Sequence, residues 1–305
     1  LKGGFSKELK SLRDELLKMT SLLELELDFS EEDVEFASRR ELSALLDGAL
    51  RHIHSLTDSF RYGNALRNGV PVAIVGAVNA GKSTLLNAMV GEKVAIVSWR
   101  PQTTRNKITG IVNGDDYQLV FTDTPGLHNS RNKLGDYMMK SVSTALEGVD
   151  AILYVVNGDK GFDDFDKKFL DGHLDGKTPV VVALNKTDVV TKEKIFKQLE
   201  DLQQYDKIKA VVPVSAKKGE NVDEVIKQLV ALMPEGEKMY DDDVFTDKTM
   251  RFMASEIIRE KALKLLEKEI PYGICVNINK FEMREDGSMY DIDADIVCEK
   301  DTHAL

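Results

Sequence analysis

Cysteine is scarce in this sequence, with only Cys275 and Cys298 among 305 residues. Two cysteines cannot form the disulfide framework on which small secreted domains depend, so a reducing cytoplasm is the expected location. Both cysteines lie in segments predicted to be strands, and we expect them to pack there as small apolar side chains.

Long apolar runs are missing as well. The longest ones, such as residues 151–156, are far shorter than the roughly 20 residues that a helix needs to span a bilayer. This excludes a transmembrane helix and leaves peripheral membrane contact open. No signal peptide is recognisable near the first residue. Because the sequence begins with Leu1 instead of Met and stops inside an unfinished segment, we expect a fragment at both ends.

An excess of positive charge is also absent. The net charge is -11 at pH 7, which argues against a surface coated in lysine and arginine for loose binding to nucleic acid. A local basic patch, or a site that recognises the shape of one RNA, is compatible with this charge. With 42% hydrophobic and 30% charged residues, the composition is that of an ordinary globular protein with room for two or three domains.

Four successive segments differ in composition. Residues 1–69 contain two apolar seams at helical spacing and predict a helical segment. Residues 70–234 alternate helical stretches with short apolar runs, which predicts βαβ units and an α/β fold with a doubly wound, mostly parallel sheet. Residues 235–246 predict a linker, and residues 247–305 predict a helix stopped by Pro271 followed by two strands. The apolar runs of the second segment lie at residues 72–75, 118–122, 151–156, 180–184 and 211–214.

A phosphate-binding loop is the strongest motif. The sequence GAVNAGKS at residues 76–83 fits G-x-x-x-x-G-K-[ST] and lies between an apolar run and a helical stretch, the context that the motif requires. The two glycines would let the backbone bend so that its N–H groups face phosphate oxygens, and the helix dipole would add positive potential. We expect Lys82 to reach the β- and γ-phosphates and to support catalysis. The nucleotide-binding residues predicted in this loop are Asn79, Ala80, Gly81, Lys82, Ser83 and Thr84.

Downstream motifs resemble those of translation-factor-class GTPases. NKTD at residues 185–188 resembles the N-K-x-D element, in which the Asp188 carboxylate accepts two hydrogen bonds from guanine. Adenine would leave that buried carboxylate unpaired, and sites built in this way discriminate by roughly 10⁴–10⁵. SAK at residues 215–217 resembles the last base-binding loop, in which a backbone N–H meets guanine O6. The resemblance implies that GTP or GDP is bound by Asn185, Lys186, Asp188, Ser215, Ala216 and Lys217.

The same resemblance implies a magnesium site. The Ser83 hydroxyl would ligate Mg²⁺ directly. DTPG at residues 123–126 resembles the D-x-x-G element, in which Asp123 holds Mg²⁺ through a water and the Gly126 N–H meets the γ-phosphate. A threonine of the loop called switch I, here residues 99–105, ligates the ion when the γ-phosphate is present. We choose Thr104, with Thr103 as the alternative. Thr104 and Gly126 are therefore predicted to be catalytic together with Lys82.

Two residues bear on how water would be activated. Leu127 follows Gly126 where many switch GTPases carry a glutamine, and its side chain cannot orient water by hydrogen bonding. Catalysis must then use another group, a water chain or a partner. Asn79 resembles the asparagine with which some GTPases hold K⁺ near the phosphates, where the ion could neutralise transition-state charge. The alternative is that Asn79 only stabilises its own turn.

From about residue 90 onward, the sequence resembles the Era family of GTPases. This resemblance implies GTP hydrolysis, a role in assembly of the small ribosomal subunit and a C-terminal type II KH domain that binds 16S rRNA. The G-x-x-G loop of a KH domain does not follow Asp301, so residues 247–305 match a truncated αββ part and RNA binding by them alone is doubtful. The matching stretches are GEKVAIV at 91–97, RPQTTR at 100–105, DTPGLH at 123–128, KLGDYM at 133–138, SAKKGEN at 215–221, RFMASEIIRE at 251–260 and IPY at 270–272.

Residues 1–69 resemble a different family, the tRNA-modification GTPase MnmE. The stretches GFSKEL at 4–9, LLELELDFSEEDVEF at 22–36 and GNALRNGV at 63–70 carry this resemblance to its helical domain. A crossover near the phosphate-binding loop would make the chain a natural fusion, an engineered chimera or an assembly artefact. The leading hypothesis is an Era-like GTPase. The alternatives are an MnmE-like enzyme and a non-catalytic GTP-binding module or incomplete hybrid.

Overall fold

A computed structural model describes residues 70–100, 103–127, 140, 142–146, 148–173, 178–266 and 274–298, together with isolated positions between residues 10 and 51. The chain divides into two compact units, Leu1–Asn64 and Ala65–Leu305. The described positions of the first unit are all helical. Most of the two predicted helical seams lies outside the described residues, so their pairing stays a prediction.

A six-stranded sheet forms the centre of the second unit. Its strands lie in the order β2-β3-β1-β4-β5-β6, and all neighbours are parallel except the antiparallel pair β2 and β3. The predicted α/β fold with a mostly parallel sheet is therefore confirmed. The bounds are β1 Val70–Val75, β2 Ile108–Asn113, β3 Gln118–Asp123, β4 Ala151–Asn157, β5 Val180–Asn185 and β6 Ile208–Val214.

Helices cover both faces of this sheet. Every residue of β4 and β5 is buried, because parallel strands covered on both sides need apolar side chains at successive positions. One face packs against α1 (Lys82–Val90) and α4 (Val222–Val230), and the other packs against α2 (Asp164–His173) and α3 (Lys192–Gln203). The loops at the carboxyl ends of the parallel strands consequently gather at one edge.

The segment after α4 follows the open edge of the sheet. The Ile111 N–H donates to the Phe245 carbonyl at 2.9 Å, and the Thr246 hydroxyl donates to the Thr109 carbonyl at 2.7 Å. Asn113 Nδ2 donates to the Val244 carbonyl at 3.2 Å. These bonds satisfy outward-facing groups of β2, which as an edge strand would otherwise be free to pair with another chain.

A helix and a hairpin complete the described chain. The helix α5 spans Met250–Leu265 and ends before the predicted stop at Pro271, which lies outside the described residues. Strands β7 (Ile274–Met283) and β8 (Tyr290–Cys298) pair antiparallel in a separate sheet. Gly287 in their turn has a φ of 68°, a left-handed conformation that favours glycine. Within the described residues, no helix has the length and apolar character needed to cross a membrane.

Candidate nucleotide-binding site

The phosphate-binding loop leaves β1 and turns into α1. Gly76 has a φ of 153°, and a Cβ there would lie 2.3 Å from the Val155 carbonyl oxygen. Gly81 has a φ of 99°, and a Cβ there would lie 2.3 Å from Asn185 Nδ2. Gly81 is also the N-cap of α1 and supplies no capping side chain. The first N–H groups of that helix are thus left for an anion, the arrangement that favours phosphate binding.

Lys82 is buried beneath this loop. Its side chain is almost fully buried, and its ammonium donates to the carbonyls of Gly76 at 3.0 Å and Ala77 at 3.1 Å. Burial lowers the pKa of Lys82 to about 8, and the neighbouring Asp123 opposes that change. A phosphate placed in the loop would offer the ammonium a full negative charge and would favour its protonated form.

Three oxygen-bearing side chains converge beside Lys82. The Ser83 hydroxyl donates to Asp123 Oδ2 at 2.6 Å, and it lies 2.9 Å from Thr104 Oγ1. Asp123 is fully buried, and its Oδ1 meets no well-placed hydrogen-bond donor among the described residues. Burial raises the pKa of Asp123 to about 6 despite the nearby Lys82 and the bond from Ser83. Two hydroxyls and a carboxylate oxygen that accepts no well-placed hydrogen bond suit a hard divalent cation such as Mg²⁺.

The structure distinguishes the two candidate threonines of switch I. The Thr103 hydroxyl donates to the Arg100 carbonyl at 2.7 Å and closes a local turn. The Thr104 hydroxyl is the one that lies beside Ser83. Of the two, only Thr104 is therefore placed to share a metal ion with Ser83 and Asp123.

The predicted base-binding residues lie at the ends of β5 and β6. Asn185 is buried; its Nδ2 donates to the Ala80 carbonyl at 2.9 Å, and its Oδ1 accepts from the Ala216 N–H at 3.0 Å. The Ser215 hydroxyl donates to Asp188 Oδ1 at 2.9 Å. The amide of Asn185 thus joins the phosphate-binding loop to the last base-binding loop, and Asp188 is oriented by its neighbour. Lys217 follows in the same loop with an exposed side chain.

Lys186 covers the outer side of the phosphate-binding loop. It adopts a left-handed φ of 69°, and its ammonium donates to the Asn79 carbonyl at 2.7 Å. Burial lowers the pKa of Lys186, with a further contribution from Lys160. Asn79 Nδ2 in turn donates to the Trp99 carbonyl at 3.2 Å, so Asn79 lies against switch I. Thr84 also lines the pocket between this loop and switch I.

The D-x-x-G segment packs directly on the phosphate-binding loop. A Cβ on Gly126 would lie 2.9 Å from the Val78 Cα, so the close approach requires glycine. The Leu127 N–H donates to the Gly76 carbonyl at 3.0 Å, and its side chain is buried in the apolar core. Leu127 is therefore a packing residue. His128 lies outside the described residues.

Sequence reasoning missed a group of residues that hold switch I from the C-terminal helix. Arg259 and Glu260 of α5 are buried although both are charged. Arg259 donates to the Thr103 carbonyl, and Glu260 accepts from the Val97 N–H. The available signal was the helical spacing of this charged pair relative to the apolar residues Ala262 and Leu263, which are buried with it.

Comparisons with known proteins agree with this geometry. A family model described as 50S ribosome-binding GTPase matches residues 71–186. GTPase Era of Clostridium beijerinckii is 47% identical over 232 residues, which cover 76% of this chain and 78% of that protein. GTPase Era of Clostridium novyi is 45% identical over the same share of this chain and 79% of its own length.

Two solved structures of Era are also similar. A variant of Aquifex aeolicus Era bound to GDP·AlF4⁻ matches with a TM-score of 0.72 and 33% identity, over 76% of this chain and 79% of that one. Era in complex with MgGDPNP and nucleotides 1506–1542 of 16S ribosomal RNA matches with a TM-score of 0.71, 33% identity and the same coverage.

The fold and the site define a P-loop GTPase. The two similar Era structures contain guanine nucleotides, one of them with Mg²⁺, and the chain has the sheet and the motif positions that this class requires. With relatives at 45–47% identity over more than three quarters of their length, the chain belongs to the Era family of GTPases. The prediction of an Era-like GTP hydrolase is thereby confirmed over its alternatives.

Proposed function

We propose that residues 79–84 cradle the phosphates of GTP while Ser83 and Thr104, with Asp123 through a water, hold Mg²⁺. The observation that carries this proposal is the convergence on Ser83 Oγ of the Thr104 hydroxyl at 2.9 Å and the buried Asp123 carboxylate at 2.6 Å. When bound, Mg²⁺ would bridge β- and γ-phosphate oxygens and neutralise the charge that develops there. Lys82 supplies a second positive charge from the loop itself, and the Gly126 N–H faces the γ-phosphate.

The loops after β5 and β6 would recognise the guanine base. Asp188 accepts from the guanine edge, and the bond from Ser215 fixes its carboxylate for that task. Asn185 keeps the two loops and the phosphate-binding loop in one arrangement, with Lys186 packed beside it. The loop at residues 215–217 would offer a backbone N–H group to guanine O6. A purine with the opposite donor pattern would leave the Asp188 carboxylate without the two hydrogen bonds that guanine supplies. The cost exceeds the value of about 1–3 kcal/mol for a neutral unpaired group, because the carboxylate is charged.

The water-activating group is not Leu127, so we infer that a cation assists. Asn79 Nδ2 donates to the Trp99 carbonyl at 3.2 Å, which places the amide group of Asn79 beside that carbonyl. An amide oxygen and a carbonyl oxygen are ligands that K⁺ accepts, and a monovalent cation there would stabilise negative charge on the phosphates. Turnover measured in KCl and in NaCl at equal ionic strength checks this proposal. Equal rates in the two salts would remove it.

We further propose that the chain acts in the cytoplasm on the small ribosomal subunit, through 16S rRNA. The support is the similarity to Era in complex with a 16S rRNA segment. In this proposal residues 70–234 form the GTP-binding domain, 235–246 the linker and 247–305 a type II KH-like αββ segment that contributes to RNA contact. Co-sedimentation of the full chain with 30S particles tests it, with 50S particles as the control. Absence of selective co-sedimentation would contradict it.

Residues 1–69 carry the second candidate, a role related to tRNA modification. Its support is the sequence resemblance of these residues to the helical domain of MnmE, which makes the chain a hybrid in this proposal. Binding of the full chain to the flavoprotein partner of MnmE tests this role. No binding at micromolar concentrations would leave the Era-like role alone.

Hydrolysis itself is tested by GTP turnover of the full chain with Lys82→Ala as the control. We expect phosphate release from GTP with Mg²⁺, little release from ATP, and loss of activity in the variant, because removal of the ammonium takes away a charge that the γ-phosphate needs. Turnover that is equal in the two proteins, or equal with GTP and ATP, would contradict the residue roles given above.

A further inference from the structure

Switch I is held in place by the C-terminal helix and hairpin. Three arginine–carbonyl hydrogen bonds join the two regions, and they lie on both sides of Thr104. Arg259 Nη2 donates to the Thr103 carbonyl at 2.7 Å, and Arg105 Nη1 donates to the Ile274 carbonyl at 2.9 Å. Arg100 Nη2 donates to the carbonyl of Leu266, the C-cap of α5, at 2.6 Å.

Arg259 is the most deeply buried of these donors. Its side chain is 4% exposed, and Glu256 one turn earlier accepts from both Nε and Nη2, at 2.8 and 2.6 Å. A bidentate pair of this kind fixes the plane of the guanidinium as well as its position. The Nη2 group therefore points at the Thr103 carbonyl with little freedom, and a charged donor makes that bond stronger than a neutral one.

The Thr103 carbonyl determines where Thr104 lies. The carbonyl and the Thr104 N–H belong to one planar peptide unit, so fixing the oxygen fixes the plane that leads to the Thr104 Cα. The Thr103 hydroxyl bond to the Arg100 carbonyl closes the turn on the other side. The Thr104 hydroxyl then lies 2.9 Å from Ser83 Oγ, at the proposed metal site.

Glu260 anchors the same helix next to the segment that precedes switch I. It is 1% exposed and accepts from the Val97 N–H at 3.1 Å and from the ammonium groups of Lys93 and Lys264, at 2.5 and 3.1 Å. Helix α5 is thus registered against the chain before and after Arg100. These bonds therefore also fix the position of the Arg259 backbone.

We propose that Arg259, outside the sequence motifs of the nucleotide site, is a positioning residue for GTP hydrolysis that keeps Thr104 at the magnesium site. The proposal rests on the role of Thr104 given above. It makes α5 part of the apparatus that distinguishes GTP from GDP, because Thr104 contacts the ion when the γ-phosphate is present. A purely structural Arg259 would dock the helix and would affect both nucleotides alike.

The test compares Arg259→Gln with the control Arg251→Gln in the full chain. Arg251 lies on the same helix and also donates to a backbone carbonyl, that of Ile278, but its side chain is exposed and makes no hydrogen bond to the described residues of switch I. For Arg259→Gln we expect affinity for a Mg²⁺-bound, slowly hydrolysed GTP analogue and kcat each to fall by about tenfold or more, the usual effect of losing one charged hydrogen bond. Affinity for GDP should stay within about twofold, and Arg251→Gln should match the wild type.

Equal losses of analogue and GDP affinity, or losses no larger than those of Arg251→Gln, would overturn the proposal. Arg259→Lys keeps the positive charge but lacks the planar guanidinium that pairs with Glu256. It is the second variant to measure if Arg259→Gln unfolds at the assay temperature. A double-mutant cycle of Arg259→Lys with Thr104→Ala adds an independent measurement. Strong non-additivity supports action through Thr104, and full additivity refutes it. Wild-type turnover no higher than that of Lys82→Ala would instead refute the proposed hydrolysis, while the binding comparison still decides the role of Arg259.

Discussion

The two glycines at the ends of α1 allow backbone strain to be separated from damage to the nucleotide site. Gly81 precedes the helix with a φ of 99°, and Gly91 follows it with a φ of 80°. An alanine in either place would lower the free energy of unfolding by about 1–2 kcal/mol, because its backbone would have to be left-handed. A Cβ on Gly91 meets no atom within 4 Å, whereas a Cβ on Gly81 would lie 2.3 Å from Asn185 Nδ2. Gly91→Ala is therefore the strain control for Gly81→Ala.

The clash at Gly81 cannot be relieved without breaking hydrogen bonds of Asn185. Asn185 is 2% exposed, and its amide is held by the Ala80 carbonyl and by the N–H groups of Lys186 and Ala216. Moving it breaks at least the bond to Ala80 and leaves a buried polar group unpaired, at about 1–3 kcal/mol. Because the same amide orders the guanine-binding loop, we expect Gly81→Ala to lower affinity for GDP by about tenfold or more.

The assay is titration calorimetry with GDP, combined with urea unfolding without nucleotide. Gly91→Ala should lose about 1–2 kcal/mol of stability with unchanged GDP affinity, since only its backbone is strained. Gly81→Ala should lose more stability and also bind GDP more weakly. GDP affinity of Gly81→Ala equal to that of Gly91→Ala would refute the link between Asn185 and the site.

Three further predictions concern specificity, the metal site and the core. Asp188→Asn should shift binding from GTP towards xanthosine triphosphate, because an amide donor suits the extra carbonyl of xanthine; a retained preference for GTP in competition binding would contradict this. Ser83→Ala should reduce the gain in GDP affinity that Mg²⁺ gives over EDTA by about tenfold, and an undiminished gain would exclude Ser83 as a ligand. Tyr154→Phe removes the 2.6 Å bond to Asp166, whose pKa is raised by burial and lowered by that bond. Since only ionised Asp166 needs the donor, the variant should lose about 1–3 kcal/mol at pH 7, and urea unfolding should show a smaller loss as the pH falls towards the ordinary carboxyl pKa. A loss independent of pH would show that Asp166 is not ionised near neutrality.

Five strands of the sheet were predictable because each contains a short, mostly apolar run. Residues 72–75, 118–122, 151–156, 180–184 and 211–214 each lie within an observed strand. In contrast, β2 was missed. Its sequence ITGIVN contains a glycine and polar residues, and its hydrogen bonds come from β3 on one side and from the segment near Phe245 on the other. An edge strand of this kind depends on partners that a local pattern does not reveal.

The site residues likewise fall into those that local motifs predict and those whose placement depends on tertiary packing. The residues of the P-loop and the base-binding loops could be proposed from the sequence because each motif is a short local stretch. Placing the Thr104 hydroxyl rather than that of Thr103 beside Ser83 required the structure, because 21 positions separate Thr104 from Ser83. The burial of Leu127 likewise depends on packing against β1 and its neighbours.

The sequence by itself determined the nucleotide class, since glycine conformations, a lysine and a carboxylate at fixed spacing are local chemistry that survives without knowledge of the rest of the chain. The tertiary structure alone decided that α5 holds switch I. Arg259 and Thr103 are 156 positions apart, and a contact between segments so distant follows from how helices, sheet and hairpin pack together. No periodicity within either segment encodes the other.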